Sequence, residues 1–431
     1  MRRLILFLLS AALSLVALAQ NPKHEMRDNL RLSGSNFLAY PGPGTKSLTP
    51  PPDGQQPFYL SHYGRHGSRY MASPREYDYA YDVLRKAGEQ GKLTALGRDV
   101  LERLVFLRDE VSERYGDLTP LGAEQMRGIA ARMVERFPEV FEDDATIDAR
   151  STTVRRCILS MTNALLQMTA LNPKLRISCD ASGGMHYLHY TDRELLQHTR
   201  SIRSNEAYAD FCKEHSCWQR PMTALFSDTA YMNRALSPER LNYYLFRLAG
   251  SLQNHEARKH ITFYDLYTDD ELYENWLTVN AYWFLGYSFT PLTGGVQPYS
   301  QRYLLRQIIA EADSCIRHPH PGATLRFGHD TALMPLVCLM DIDGYGQVID
   351  RLDDAAKRGW VDYRISPMAA NVQLVFYRKA PDDDDVLVKV LLNEHEATLP
   401  LPDDLAPYYR WADFREHYLQ MLDNFDKQAS K

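Results

Sequence analysis

The sequence predicts an α/β fold: a mixed, largely parallel sheet flanked by helices and interrupted by a mostly α-helical insertion. Three observations carry this. The stretches "FYLSHYGRHGSRY" (Phe58–Tyr70) and "ATLRFGHDTALMPL" (323–336) share one layout, a short apolar strand, a glycine, a polar pair and then a helix. Residues 166–299 are rich in tyrosine and tryptophan at helical spacing and carry few strand signals. "NVQLVFYRK" and "VLVKVLLNE" alternate around the Pro381–Asp385 turn and read as an antiparallel strand pair.

The first nineteen residues read as a secretory signal peptide. Arg2 and Arg3 form its charged start, Leu4 to Val16 is almost wholly apolar, and Ala17-Leu18-Ala19 is a small-residue cleavage site before Gln20. No cysteine follows that site to carry a lipid anchor, and no later segment has eighteen consecutive apolar residues. The expected mature protein is exported, periplasmic or secreted, without a membrane anchor. Its expected parts are a first α/β portion over 20–165, a helical cap over 166–299 and a second α/β portion over 300–431.

The elements follow in order. Strand Phe58–Tyr63 runs into Arg65-His66-Gly67, and "SPREYDYAYDVLRKAG" opens a helix with Ser73 as cap, Pro74 at the first position and Glu76 closing a capping box. Thr119 and Pro120 start a second helix with an apolar stripe of Met126, Ile129, Met133 and Phe137. A third follows Arg150, with Arg155 and Arg156 in its first turns and Ile158, Met161, Leu165 and Met168 as its buried stripe. The aromatic stripe of the insertion reads as packing rather than a ligand platform. A helix near Arg302–Ile316, the strand before His329, the antiparallel pair and a last helix around Trp411–Phe425 complete the chain.

Without Arg2 and Arg3, 47 basic residues face 55 acidic ones, a formal charge of −8. Such an acidic chain does not bind nucleic acid through a general basic surface, so any positive site for an anion has to be local. Six cysteines in 431 residues are too sparse for a disulfide scaffold. Cys157 and Cys338 lie in apolar helical stretches and read as core thiols. Cys212 and Cys217 are close enough in sequence to bridge, but spacing leaves their pairing open. No Cys-x-x-Cys or His-Glu-x-x-His pattern occurs. His318 and His320 around a proline, and the aspartates 382–385, read as solvated loops rather than metal sites.

The chemistry concentrates at two strand ends. His66 stands between Arg65 and Arg69, and fixed positive charge favours its neutral, nucleophilic form beside an anion-binding fork. In α/β sheets ligands bind at the carboxyl ends of strands, where this loop and the His329-Asp330 pair both fall. Arg155 and Arg156 at a helix N-terminus suit an anion, although such arginines are also commonly just solvated.

These motifs resemble the histidine phosphatases, in the branch of acid phosphatases, phytases and multiple inositol polyphosphate phosphatases. "RHGSR" matches the family's Arg-His-Gly-x-Arg motif. "RRCILS" matches its downstream arginine with a small hydroxyl residue four positions later. "GHDT" matches its second histidine and acid. The order and the intervening helical segment agree, and the likeness covers nearly all of the mature chain. The inositol polyphosphate branch is the nearest, through "EQMRGIAARMVERFPEVF" and Arg156-Cys157. Two positions depart: Met71 stands where proline is frequent, and His329-Asp330-Thr331 replaces that branch's usual His-Ala-Glu.

The resemblance implies a phosphoglycerate-mutase-like sheet and a phosphomonoesterase needing no metal or organic cofactor. It implies His66 as nucleophile, Asp330 as proton donor, and Arg65, Arg69, Arg156 and His329 as phosphate ligands. The implied partner is a small phosphomonoester, phytate or another inositol polyphosphate, with Arg200, Arg203, Arg258 and Lys259 available for distant phosphates. A broad or sugar-phosphate acid phosphatase and a non-catalytic phosphate-binding protein are the alternatives.

Overall fold

The computed structural model describes residues 21–44, 47–188, 195, 202 and 205–429, so the stretch expected to be a signal peptide lies outside the described residues. Four strands run parallel in the order β3 (Arg176–Ala181), β2 (Thr146–Ser151), β4 (Gly322–Gly328), β1 (Gln56–Arg65). The sheet then continues antiparallel through β5 (Asn371–Arg378) and β6 (Leu387–Leu392), which β7 (His395–Glu396) and β8 (Tyr408–Arg410) flank. β4, β5 and β6 are buried along their whole length, as strands covered on both faces must be.

Among the described residues nine α-helices have ten residues or more: α1 (Arg75–Glu89), α2 (Ala95–Val111), α3 (Pro120–Arg136), α4 (Arg155–Leu171), α5 (Pro238–Leu252), α6 (Asp269–Tyr287), α7 (Arg302–Cys315), α8 (Asp330–Leu339) and α9 (Trp411–Ala429). One face of the sheet packs Leu60, Leu325 and Val375 against Met126, Ile129 and Met133 of α3 and Met161, Leu165 and Met168 of α4. The other packs Tyr59, Tyr63, Leu374 and Phe376 against α7, α8 and α9 through Leu305, Leu333, Phe414 and Tyr418. Neighbours Tyr59 and Leu60 thus serve opposite faces, as the pleat requires. Each of these large side chains contributes about 1.5–3 kcal/mol through burial.

The capping chemistry follows the residues. Thr119 accepts from Gly122 N at 3.2 Å with Pro120 behind it. At α1, Glu76 Oε2 accepts from Ser73 N at 3.1 Å, while Ser73 Oγ accepts only from Arg75 N at 3.3 Å, so half of the expected box forms. Ile158 is only partly buried; the apolar face of α4 begins at Cys157 instead.

The domain limits need correction. Residue 166 falls inside α4, and β3 extends the sheet to Ala181 by pairing with β2. Nor do the later helices fold on themselves alone. α5 and α6 share one apolar core with α1 and α2, including Leu84, Leu104, Leu245 and Trp276, and with Phe37 and Leu38. Cys212 and Cys217 are both free thiols, and Asn275 Nδ2 donates to Cys217 Sγ at 3.0 Å. Cys157 and Cys338 are buried thiols. No helix among the described residues is long and apolar enough to cross a membrane.

Candidate active site

The parallel register of β1 and β4 brings two distant segments together. Arg65 lies opposite Gly328, so His66 and His329 leave the sheet side by side at its carboxyl edge. Their rings meet edge to face, 5.7 Å between centroids. His66 N donates to Gly328 O at 3.0 Å, and His66 O accepts from Ala369 N at 3.0 Å, which pins the His66 backbone to two neighbours.

The loop beyond is seated on the start of α3 by two glycines. A Cβ on Gly67 would meet Gly122 O at 2.5 Å, and one on Gly122 would meet Ser68 O at 2.2 Å. This close approach lets Ser68 O accept from Thr119 N (2.9 Å) and Oγ1 (3.1 Å), and Ser68 N donate to Gln125 Oε1 (2.8 Å). Gly67 N donates to Ser160 Oγ at 3.1 Å, and that hydroxyl donates to Arg156 O at 2.7 Å. The hydroxyl four residues after Arg156 therefore ties α4 to the loop.

His66 is buried, and its Nδ1 lies 2.9 Å from the Gly67 carbonyl. A carbonyl only accepts, so Nδ1 carries the hydrogen and Nε2 carries the lone pair. Burial, followed by the charges of Arg65, Arg156, Arg69 and His329, holds the imidazole well below its ordinary pKa. The sequence argument named the cations; desolvation is the larger cause.

Arg65 is wholly buried. Its Nη1 donates to the carbonyls of Asn36 (2.6 Å) and Ser366 (2.9 Å). Its Nη2 lies 2.8 Å from Asp330 Oδ2, near enough for an ion pair though its hydrogens do not point along the line. Asn36 Nδ2 donates to the same oxygen at 2.8 Å, while Asp330 Oδ1 accepts from Thr331 N at 2.9 Å. Burial alone raises the Asp330 pKa, but Arg65, Arg69, Asn36 and His329 together outweigh it and bring the carboxyl down to about 2. Asp330 is ionised in the free site.

Arg69 Nη1 donates to Tyr70 O at 2.9 Å, and burial with the charges of Arg156 and Arg65 brings its pKa down to about 10. Arg155 and Arg156 separate: Arg155 is 74% exposed and pairs with Asp117 at 3.1 Å, whereas Arg156 acts electrostatically on His66, Arg65 and Arg69. The Nε atoms of Arg65, Arg69 and Arg156 are all buried without a protein acceptor. Three guanidinium groups against one carboxylate make a compact positive site, which suits a phosphate. His329 completes the group, its Nε2 3.2 Å from Thr152 Oγ1.

All six residues predicted from the sequence thus converge. Met71 has a plain structural role, because its N–H donates to Tyr77 Oη at 2.7 Å, a bond that proline could not make. Arg258 and Lys259 are paired with Glu256, and Arg200 and Arg203 lie outside the described residues. His318 and His320 are exposed. Among the described residues, the group spaced to hold a metal is Glu214, His215 and Asp353, none of them in this site. Asn36, Thr152 and Ser366 are site neighbours that no sequence motif announced, whereas Gln125 lies within the "EQMRG" stretch.

The profile of the histidine phosphatase superfamily (branch 2) matches residues 64–393. Multiple inositol polyphosphate phosphatase 1 of Gallus gallus is 23% identical over 339 residues, 72% of this chain and 71% of the relative. The multiple inositol polyphosphate phosphatase of Bifidobacterium longum, solved with inositol hexasulfate, shares the fold with a TM-score of 0.75 at 18% identity, covering 89% of this chain and 97% of that one. The phytase of D. castellii does so with a TM-score of 0.65 at 15% identity, over 90% and 84%. With its profile matched from Gly64 in β1 to just past β6, well over half of its length, this chain belongs to branch 2 of the histidine phosphatase superfamily and is a phosphomonoesterase.

Proposed function

We propose that this protein is an exported acid phosphatase that hydrolyses inositol polyphosphates, phytate foremost, through a phosphohistidine on His66. The carrying observation is the His66 Nδ1–H held on the Gly67 carbonyl, which leaves Nε2 as the attacking atom among Arg65, Arg69 and Arg156. Nε2 attacks phosphorus as the bond to the leaving oxygen breaks. The arginines and His329 hold the equatorial oxygens, and positioning with charge stabilisation supplies most of the rate. Water then attacks the phosphohistidine, the P–N bond breaks, and inorganic phosphate leaves.

Asp330 supplies the leaving oxygen's proton and takes one back from the attacking water. Because it is ionised in the free site, that proton arrives with the substrate. A phosphomonoester's second ionisation lies near about 6, so below that pH the phosphate enters as a monoanion. It hands its proton to Oδ1, since Arg65 and Asn36 occupy Oδ2. No step draws on a metal, because guanidinium groups supply the positive charge.

The inositol polyphosphate class is supported by the relatives' own names and by the cationic site; the leader-like start supports export. Phosphate release from phytate, glucose 1-phosphate and p-nitrophenyl phosphate, measured side by side, tests the reading. The expected result is the highest kcat/KM with phytate. Preference for glucose 1-phosphate would instead favour a sugar-phosphate phosphatase, and no turnover at all a binding protein.

A further inference from the structure

We propose that Asn36, held in place through a buried Ser35–Asp362 hydrogen bond, is a positioning residue for the Arg65–Asp330 pair. The inference rests on the reading of Asp330 as proton donor. Asn36 touches both members: its carbonyl accepts from Arg65 Nη1 at 2.6 Å and its amide donates to Asp330 Oδ2 at 2.8 Å. With Oδ2 fixed from two sides, Oδ1, which accepts from Thr331 N at 2.9 Å and keeps a second lone pair, is the oxygen assigned to the leaving group.

What fixes Asn36 lies outside the sheet. Ser35 has φ 58° and ψ −132°, a left-handed backbone rare for a residue with a side chain. Its hydroxyl donates to Asp362 Oδ2. The other Asp362 oxygen accepts from Trp276 Nε1 (3.0 Å) and Tyr363 N (2.7 Å), and Asp362 N donates to Asn280 Oδ1 (2.9 Å). The preceding Gly34 lies so close to Gly250 that a Cβ on Gly250 would sit 2.7 Å from Gly34 Cα. The segment is therefore clamped against α5 and α6 on both sides of the unusual backbone.

Asp362 supports Arg65 by a second route. It opens a single helical turn, Asp362–Ile365, and its carbonyl accepts from Ser366 N at 2.8 Å. Ser366 O is the other acceptor for Arg65 Nη1, at 2.9 Å. Both carbonyls that hold this arginine thus connect to Asp362, Asn36 through the carboxylate's bond to Ser35 and Ser366 through the Asp362 backbone carbonyl. Removing the Ser35 or Asp362 contact frees Asn36, and with it the aim of Oδ1. Misplacement of a catalytic group by about 1 Å costs roughly 10²-fold.

The test compares kcat/KM for glycerol 1-phosphate, whose alkoxide needs a proton, with p-nitrophenyl phosphate, whose phenolate does not. Asn36→Leu and Ser35→Ala are expected to lose at least about 10-fold more with the alkyl ester than with the aryl ester. Asp330→Asn should show the same bias more strongly, and adding N36L to D330N should increase it no further. Asp362→Ala, which removes the acceptor of the Ser35 hydroxyl, should show the bias as well, and Ser35→Ala carries the test if the Asn36 and Asp362 variants do not fold. Equal slowing of both esters, or no slowing, in the Asn36, Ser35 and Asp362 variants while D330N stays biased would overturn the inference alone. Loss of bias in D330N itself would overturn the proton-donor reading beneath it.

Discussion

Replacing Gly67 by alanine tests whether the glycine contact sets the position of His66. The new Cβ would stand 2.5 Å from Gly122 O and 2.8 Å from both Gly122 C and Cα. All three are backbone atoms at the start of α3, so no side chain can turn aside. Carbon prefers neighbours at about 3.5 Å or more, so the loop and helix must part by roughly 1 Å. Overpacking of this kind costs about 1–3 kcal/mol of stability. The same displacement stretches the 3.1 Å bond from Gly67 N to Ser160 Oγ and the 2.9 Å bond from His66 Nδ1 to Gly67 O. At about 1 Å of misplacement, kcat/KM should fall on the order of 10²-fold. Urea unfolding reads the first effect and p-nitrophenyl phosphate kinetics the second. Gly183→Ala, where a Cβ would meet nothing within 4 Å, is the control and should change neither. A Gly67→Ala enzyme with normal kcat/KM would refute the claim that this packing aims the nucleophile, whatever its stability.

His66→Ala should abolish turnover of every phosphomonoester, and activity retained in that variant would show a different nucleophile. Activity toward p-nitrophenyl phosphate should survive EDTA, because the proposed clamp is Arg65, Arg69, Arg156 and His329; loss restored by a divalent ion would contradict it. The lowered pKa of His66 means protonation removes the nucleophile only well below the usual range. An imidazole left near 6.5 would be neutral in only about 3% of molecules at pH 5. Measured from pH 6 down to 5, kcat/KM should therefore hold or rise, and a tenfold decline per unit through this range would count against a buried, cation-flanked His66.

The sheet and the pairing of His66 with His329 were legible because the same strand–glycine–polar pair–helix layout occurs at both. A parallel register does the rest, with Arg65 opposite Gly328. Nothing local separated Arg155 from Arg156; only the docking of α4 sends one to Asp117 and the other to the site. The 166 boundary failed because β3 is an exposed edge strand without the apolar run that marks a buried one. The capping residues at Ser73–Glu76 marked where α1 starts, but a cap cannot say against which core the helix packs. Asn36 left no trace at all. Its acceptor Asp330 is 294 residues away, and a short irregular segment offers neither periodicity nor a motif.

The most direct test is to quench the enzyme within its first turnover of phosphate-labelled p-nitrophenyl phosphate and locate the label. With Nδ1–H donating to the Gly67 carbonyl, the account predicts one phosphoryl group, stable to base and labile to acid, on Nε2 of His66. Label on Nδ1, on His329 or on a carboxylate would contradict it, as would a burst of p-nitrophenol with no protein-bound phosphate.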